Sequence, residues 1–461
     1  MPLIKSISGI RGTIGGTPGI NLTPPDIIAF TSGYAALLKT RFPSPKIVIG
    51  RDGRISGPLV QSLVASTLQA MGVHVLDAGL TTTPSLEMAV TAHHAQGGIM
   101  ITASHNSMAW NALKFMNEKG EFIDAETGQA LLQVSPEQIL YSPADKLGGC
   151  TVVKNSISHH IKSILKLKLV DAELVKNRKF KIVVDVINST GSIAVPALLE
   201  KLGCEFELLN GEMNGVFAHD PEPLPEHLSE LSNLVVKNKA DLGIVVDPDV
   251  DRLAFVCENG EPFGEEYTLV AVADYVTGKE KGNTVSNLSS TQALRDITLK
   301  NGGQYSASAV GEVNVVARMK ETKAVIGGEG NGGVIYPKLH YGRDALAGIA
   351  LFLTHLAESG LPASLLRARY PNYEISKNKI ELAGKSQMDL IFSRLKEQYQ
   401  KNKLNSEDGL RIDLDGEWVH LRQSNTEPII RIYAESSSKV VADHLAHKLI
   451  RDIREIQKEL K

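Results

Sequence analysis

The chain has 461 residues, of which 43% are hydrophobic, enough for about three ordinary cores, so general disorder is excluded. A net charge of −3 gives no basis for a nucleic-acid or anionic-membrane partner. The three cysteines, Cys150, Cys204 and Cys257, are odd in number and far apart, so buried free thiols are expected rather than a disulfide framework or zinc knuckle. The opening Met-Pro-Leu-Ile-Lys-Ser lacks the apolar core of a signal peptide. The longest apolar stretch, about 345–356, is too short for a bilayer and reads as a buried helix, so a soluble, cytoplasmic protein is expected.

Short β-branched runs alternate with helical patterns along the first three quarters of the chain. Lys46-Ile47-Val48-Ile49-Gly50 predicts a strand, about 58–71 a helix, 73–77 a strand and about 85–93 a helix. A second series starts at Lys181-Ile182-Val183-Val184-Asp185, with a helix over about 192–202 and a strand near 204–208. A third begins near 284–288. Strands alternating with helices argue for βαβ units and parallel or mixed sheets. After about Pro371 the pattern changes to strands at 375–383, 410–414, 417–422 and 429–434, closed by an amphipathic helix from about Ser438. That composition predicts a small α+β domain. The polar stretch of about 135–158 reads as helical and as the first domain boundary, and no fixed-period repeat is visible.

Two segments carry the chemistry. Thr102-Ala103-Ser104-His105-Asn106 places a serine hydroxyl in a polar turn after the apolar run Gly98–Ile101. Asp247-Pro248-Asp249-Val250-Asp251-Arg252 follows Gly243–Val246; in an extended segment alternate residues share a face, so Asp247, Asp249 and Asp251 can converge on one cation. Three carboxylates suit a hard divalent ion, and Mg²⁺ usually works beside phosphates, which a phosphate-bearing serine would supply. An EF-hand reading fails because Arg252 stands at the sixth loop position, where glycine is required. An aspartate-nucleophile phosphatase, an apolar strand followed by Asp-x-Asp, also fits these residues.

Three further segments fit the same chemistry. Gly327-Gly328-Glu329-Gly330-Asn331-Gly332-Gly333 permits close backbone approach, and Glu329 can accept hydrogen bonds from neutral hydroxyls; no Lys-Ser/Thr follows, so it is not a Walker loop. Arg422-Gln423-Ser424-Asn425-Thr426-Glu427-Pro428, continuing to Arg431, can cradle a phosphate. Arg11, in Ser8-Gly9-Ile10-Arg11-Gly12, adds a cation, while Gly50-Arg51-Asp52-Gly53-Arg54 reads as structural support.

Taken in order, Ser-Gly-Ile-Arg-Gly, Gly-Arg-Asp-x-Arg, Thr-Ala-Ser-His-Asn, Asp-x-Asp-x-Asp-Arg, Gly-Glu-x-x-Gly and Arg-x-Ser-Asn-Thr-Glu-Pro resemble the α-D-phosphohexomutases over essentially the whole chain. The resemblance displaces the phosphatase reading, which would also want a downstream Gly-Asp-x-x-x-Asp. It implies three related mixed α/β domains around a central cleft plus a smaller α+β C-terminal domain, with boundaries at 1–152, 153–257, 258–370 and 371–461. It implies that Ser104 carries phosphate and, with Asp247, Asp249 and Asp251, holds Mg²⁺. Glu329 and Asn331 would read sugar hydroxyls, and Arg422, Ser424, Asn425, Thr426 and Arg431 would bind the non-reacting phosphate. Lys114 is the first choice for proton transfer and His105 the second, with Arg252 and Arg11 stabilising the transferring group. A hexose 1,6-bisphosphate would be intermediate and activator.

Several positions depart from the family pattern. Ser107 and Ala112 stand where many members have Pro and Gly, Asn331 replaces a serine, and Gly333 replaces a histidine. Glu312, in Val310-Gly311-Glu312, stands where some members have histidine, so the second acid/base is left open. The forms favour the phosphoglucosamine mutase subgroup over phosphoglucomutase or phosphomannomutase. A metal-dependent sugar-phosphate phosphatase and a catalytically silent sugar-phosphate binder are the other classes. The expected partner is a small sugar phosphate, with no nucleic acid or membrane, acting on a monomer or homodimer.

Overall fold

Three successive stretches of the chain build the same unit, β-α-β-α-β-β. In the computed structural model, which describes residues 3–6, 9–135, 137, 139–381, 386–423 and 429–459, the first unit comprises strands Lys46–Arg51, His74–Leu80, Gly97–Ile101 and Trp110–Met116. The second comprises Lys181–Asp185, Glu205–Leu209, Leu242–Val246 and Leu253–Cys257, and the third Thr284–Asn287, Tyr305–Ser308, Ile326–Glu329 and Gly333–Ile335. In every unit the spatial order is fourth, third, first, second. The first three strands run parallel and the fourth returns antiparallel as a hairpin. The first sheet grows to seven strands by adding Ile4–Ser6 and Gly9–Thr13 beyond the hairpin and Cys150–Val152 on the far edge. The repeat escapes the sequence because what recurs is topology rather than residues.

The chemistry of the strands explains their place. Gly97–Ile101 and Leu242–Val246 are buried along their whole length, as strands covered on both faces must be, and read as continuous apolar runs rather than alternations. Helix Ala345–Ser359 behaves similarly: twelve of its residues are buried, which an apolar stretch of that length predicted. It packs into one core shared by the second and third sheets, where Phe352 stacks on Phe255 at 3.9 Å and meets Phe263 edge-on at 5.2 Å. The C-terminal unit is a five-stranded antiparallel sheet, Glu374–Glu381, Ile429–Ser436, Trp418–Gln423, Leu410–Asp413 and Lys403–Asn405 in spatial order, with helices Ser386–Gln398 and Lys439–Glu459. That is the α+β arrangement the sequence predicted.

Two expectations need correction. The stretch 140–155 is not helical: it holds one 3₁₀ turn, Ala144–Lys146, and the edge strand Cys150–Val152. Pro143 and Gly148-Gly149 account for this, since proline cannot continue a helix and glycine disfavours one. That strand also exposes Cys150, whereas Cys204 and Cys257 are buried free thiols as expected. No helix among the described residues is long and apolar enough to cross a membrane.

A buried polar cluster joins the first three units. Ser85 Oγ contacts His160 Nδ1 at 3.0 Å, and His160 Nε2 lies 2.7 Å from Asp344 Oδ2. His340 Nε2 is 3.1 Å from the same oxygen, and His340 Nδ1 is 3.1 Å from Glu87. Glu87 and Ser85 lie on the helix Thr83–Ala92, His160 on Ser156–Ile164, and Asp344 caps Ala345–Ser359 by accepting from Ala347 N.

Candidate active site

In an α/β sheet, ligands bind beyond the carboxyl ends of the parallel strands, where the connections diverge. All three hairpin turns lie there: residues 102–109, 247–252 and 330–332. In each unit the loop after the first strand braces the turn after the third. Asn287 Nδ2 donates to Glu329 Oε1 at 2.9 Å, and Gly330 N donates to Ser290 Oγ at 3.0 Å. Ser189 and Thr190 hydroxyls both donate to Pro248 O, at 2.7 and 2.8 Å. In the first unit Arg54 does the bracing. Fully buried and paired with Asp52 at 3.0 Å, it donates to the carbonyls of Ser104, Asn106, Ser107 and Trp110 at 2.5 to 2.9 Å. Asp52–Arg54 is therefore structural support and is buried, while Arg51 is half-buried.

That brace holds Ser104 at φ +49°, a left-handed conformation that costs a non-glycine residue of order 1–3 kcal/mol. The reward is the aim of the side chain: Ser104 Oγ donates to Asp247 Oδ2 at 2.6 Å. Ser104 and the three aspartates are all buried. The carboxylates converge with candidate ligand atoms within 4.8 Å of one another, though not by the extended geometry the alternation predicted. Residues 247–252 form a turn in which Val250 adopts φ +61° and Asp247 Oδ1 accepts from the backbone N–H groups of Asp251 and Arg252. A β-branched residue rarely adopts that conformation, so the strain sits within the cluster.

The donor set fits a divalent cation. Asp249 Oδ1 and Asp251 Oδ1 are buried and have no hydrogen-bond partner among the described residues, a costly state for carboxylate oxygens. Burial, then Asp251 and Asp249, push the Asp247 carboxyl well above its usual range. For Asp249 burial pushes the same way, but the Lys114 ammonium at 2.8 Å overrides it and holds that carboxyl low. Thr83 Oγ1 also donates to Asp249, at 2.5 Å, from the first turn of its helix.

Cations ring the serine. Burial pulls the Lys114 ammonium down, but Asp249 and Asp251 outweigh that and raise it, so Lys114 is held charged. His105 Nδ1 lies 3.5 Å from Ser104 Oγ; burial, then Arg252, Arg11, Arg343 and Lys114, push its pKa well below normal, leaving a neutral imidazole. Arg252 pairs through Nη1 with Glu222 at 2.9 Å and keeps a buried Nε with no acceptor among the described residues. Arg11 Nη1 donates to Asn106 Oδ1 at 3.3 Å.

On the third hairpin, Glu329 is fixed from several sides: Oε1 accepts from Asn287 and from Gly311 N, and Oε2 from Arg343 at 2.9 Å. Those contacts, led by Arg343, overcome burial and keep its carboxyl low. Asn331 Oδ1 accepts from Gly333 N at 3.3 Å and braces the turn. Arg422, 2.8 Å from Asp408, stands opposite Arg431 in the antiparallel register of the C-terminal sheet. Like charges directly opposite are destabilising, and an anion relieves them. Ser424, Asn425 and Thr426, between those strands, lie outside the described residues.

Sequence reasoning missed Arg343, Glu222 and Thr83. None of the three carried a local signal, since each acts through a contact with a distant segment.

A serine aimed at a carboxylate cluster and ringed by cations, at the open end of three repeated α/β units, has the chemistry that phosphoryl transfer needs. Comparison with known proteins agrees domain by domain: the chain matches phosphoglucomutase/phosphomannomutase alpha/beta/alpha domains I, II and III at residues 3–138, 158–260 and 264–373, and the C-terminal domain at 384–451. The "Probable phosphoglucosamine mutase" of Methanopyrus kandleri is 32% identical over 459 residues, covering 98% of each chain. The phosphoglucomutase/phosphomannomutase of Thermococcus kodakarensis is 33% identical, covering 93% of this chain and 94% of that one. A crystal structure of a phosphoglucomutase/phosphomannomutase family protein from Burkholderia thailandensis superposes with a TM-score of 0.84 at 24% identity, covering 98% of each chain. The chain belongs to the phosphoglucomutase/phosphomannomutase family. Its class is that of the phosphohexomutases, isomerases that transfer phosphate.

Proposed function

We propose that this chain interconverts glucosamine 6-phosphate and glucosamine 1-phosphate through a phosphoserine at Ser104 and a bisphosphate intermediate. The observation that carries the reading is the 2.6 Å contact of Ser104 Oγ with Asp247, beside two carboxylate oxygens that lack partners among the described residues. Asp247, Asp249 and Asp251, with the phosphoserine, would hold Mg²⁺, which when bound would offset charge on the transferring phosphate. Glu329 accepts sugar hydroxyls in an orientation fixed by Asn287, Gly311 and Arg343. Arg422 and Arg431, with Ser424, Asn425 and Thr426, hold the phosphate that is not reacting.

In the first half-reaction the free sugar hydroxyl attacks phosphorus, the bond from phosphorus to Ser104 Oγ breaks, and the hydroxyl proton passes to a base. The attacking hydroxyl lies in line on the far side of phosphorus from Oγ, so Lys114, held charged, is suited to donate a proton to the departing Oγ, and His105, 3.5 Å from Oγ, is the second choice for that task. Arg252 and Arg11 face the charge that spreads over the phosphoryl oxygens. The bisphosphate turns and returns its other phosphate to Ser104 by the same steps reversed. The subgroup rests on the Ser-Asn-Thr-Glu-Pro and Val-Gly-Glu forms and on the name of the Methanopyrus relative. The Thermococcus relative's name favours glucose and mannose phosphates as a second reading.

Coupled assays on glucosamine 6-phosphate, glucose 1-phosphate and mannose 1-phosphate, each primed with its bisphosphate, separate the substrates. Intact-mass analysis should find one phosphate on Ser104, and Ser104→Ala should lose nearly all activity. Full activity in that variant sinks the mechanism, and release of inorganic phosphate without isomerisation would make the protein a phosphatase.

A further inference from the structure

Arg343 pairs with three carboxylates at the site, and the reaction above uses it only to steady Glu329. Its Nη2 donates to Asp251 Oδ2 at 2.7 Å, its Nη1 to Glu329 Oε2 at 2.9 Å, and its Nε to Glu312 Oε2 at 2.9 Å. All four groups are buried. One planar, permanently charged fork thus spans the 247–252 turn of the second unit, the 330–332 hairpin and the start of helix Glu312–Thr322. It takes one oxygen each from Asp251 and Glu329 and leaves Asp251 Oδ1 without a partner among the described residues.

The route of the side chain depends on Gly333. A Cβ at that position would lie 2.3 Å from Arg343 Cδ, so the arginine stem fills the space a side chain would need. The absence of a side chain at 333 and the presence of the fork are one arrangement.

We infer that Arg343 is a positioning residue that couples cation binding at Asp251 to sugar-phosphate binding at Glu329, each ligand tightening the other. The inference rests on the reading of Asp247, Asp249 and Asp251 as cation ligands and of Glu329 as the sugar acceptor. The physical cause is shared ordering. Both carboxylates hang on one rigid fork, so whichever ligand arrives first fixes the geometry that the second requires, and the second loses less conformational freedom.

Calorimetry on full-length, chelator-treated protein tests this in a Ser104→Ala background, where turnover cannot interfere. Mg²⁺ affinity is measured with and without saturating glucosamine 6-phosphate, glucose 6-phosphate or mannose 6-phosphate. The sugar phosphate that binds should tighten Mg²⁺ at least about fivefold, within the usual range of coupling between sites. Arg343→Lys keeps the charge but loses the fork, and Gly333→Ala keeps every charge but displaces the stem. Both should bring the factor close to one. A side chain that only stabilised the fold would lower melting temperature and both affinities without changing their ratio. An unchanged factor in both variants overturns the inference alone. No Mg²⁺ binding in this background or in phosphorylated wild-type protein, which keeps the fourth ligand, or no binding of any of the three sugar phosphates, overturns the underlying reading of the site and takes the inference with it.

Discussion

Replacing Arg54 by methionine should damage the serine loop more than any nearby substitution that leaves the reacting groups intact. The side chain is fully buried, pairs with Asp52 at 3.0 Å and donates four hydrogen bonds to carbonyls between Ser104 and Trp110. Methionine keeps an unbranched apolar stem but abandons Asp52, which is equally buried. Removing one member of a buried ion pair typically costs about 3–5 kcal/mol, against a total stability of about 5–15 kcal/mol. Burial already pushes the Asp52 carboxyl up against the pull of Arg54, so in the variant it takes up a proton, and the loss should fall near the lower end. Four carbonyls lose a charged donor as well, which frees Ser104 to leave its left-handed conformation. A misplacement of about 1 Å can cost about 100-fold in rate. Urea unfolding and the rate of Ser104 phosphorylation from a hexose 1,6-bisphosphate measure the two effects. The double variant Asp52→Asn, Arg54→Met should recover part of the stability without the activity. A change under about 0.5 kcal/mol with normal phosphorylation, the behaviour of a surface site, would refute the bracing role.

Alkaline pH should loosen the junction of the first three units. Burial raises Glu87 from 4.5 to about 8, and contacts with Asp344 and Glu87 outweigh burial to raise His340 from 6.5 to about 10. Both shifts mean that the folded chain holds protons the unfolded chain has released. That stability is complete below the unfolded values and is lost as pH rises through the folded ones. Melting temperature should therefore fall towards pH 10 more steeply in wild type than in Glu87→Gln, and parallel curves would refute the assignment. Asp247→Asn keeps the shape of the turn while removing one of three crowded carboxylates, so Mg²⁺ binding by calorimetry should collapse while thermal stability holds or rises. A large loss of stability with Mg²⁺ binding intact would contradict the cluster's role. Phe352→Ala, at the centre of a stack with Phe255 and Phe263, should cost about 3–5 kcal/mol in urea unfolding, and under about 1 kcal/mol would show that the shared core collapses around it.

Much of the site was legible in the sequence because its chemistry sits in hairpin turns between apolar strands, and such turns keep their residues contiguous. Thr102–Asn106, Asp247–Arg252 and Gly327–Gly333 each announced one loop, since glycine, serine and aspartate in those patterns have few other uses. The alternation of strands and helices gave the α/β class and the α+β C-terminal unit for the same reason: periodicity is a local property. The 135–158 stretch misled because its polar residues suit a helix, while Pro143 and the glycine pair at 148–149 set its path.

Contacts between distant segments could be settled only by the fold. That Asp249 meets Thr83 and Lys114, and that Arg252 meets Glu222, are pairings across units or long loops which no spacing encodes. The convergence of the three aspartates was anticipated, but the extended geometry was wrong, because Val250 turns left-handed where burial and the neighbouring backbone hold it. Arg343 is the clearest case. In the sequence it is one arginine ahead of an apolar helix. In the structure it joins three carboxylates from three segments, because an arginine carried inward by a buried helix must find counter-charges there, and folding alone determines which are within reach.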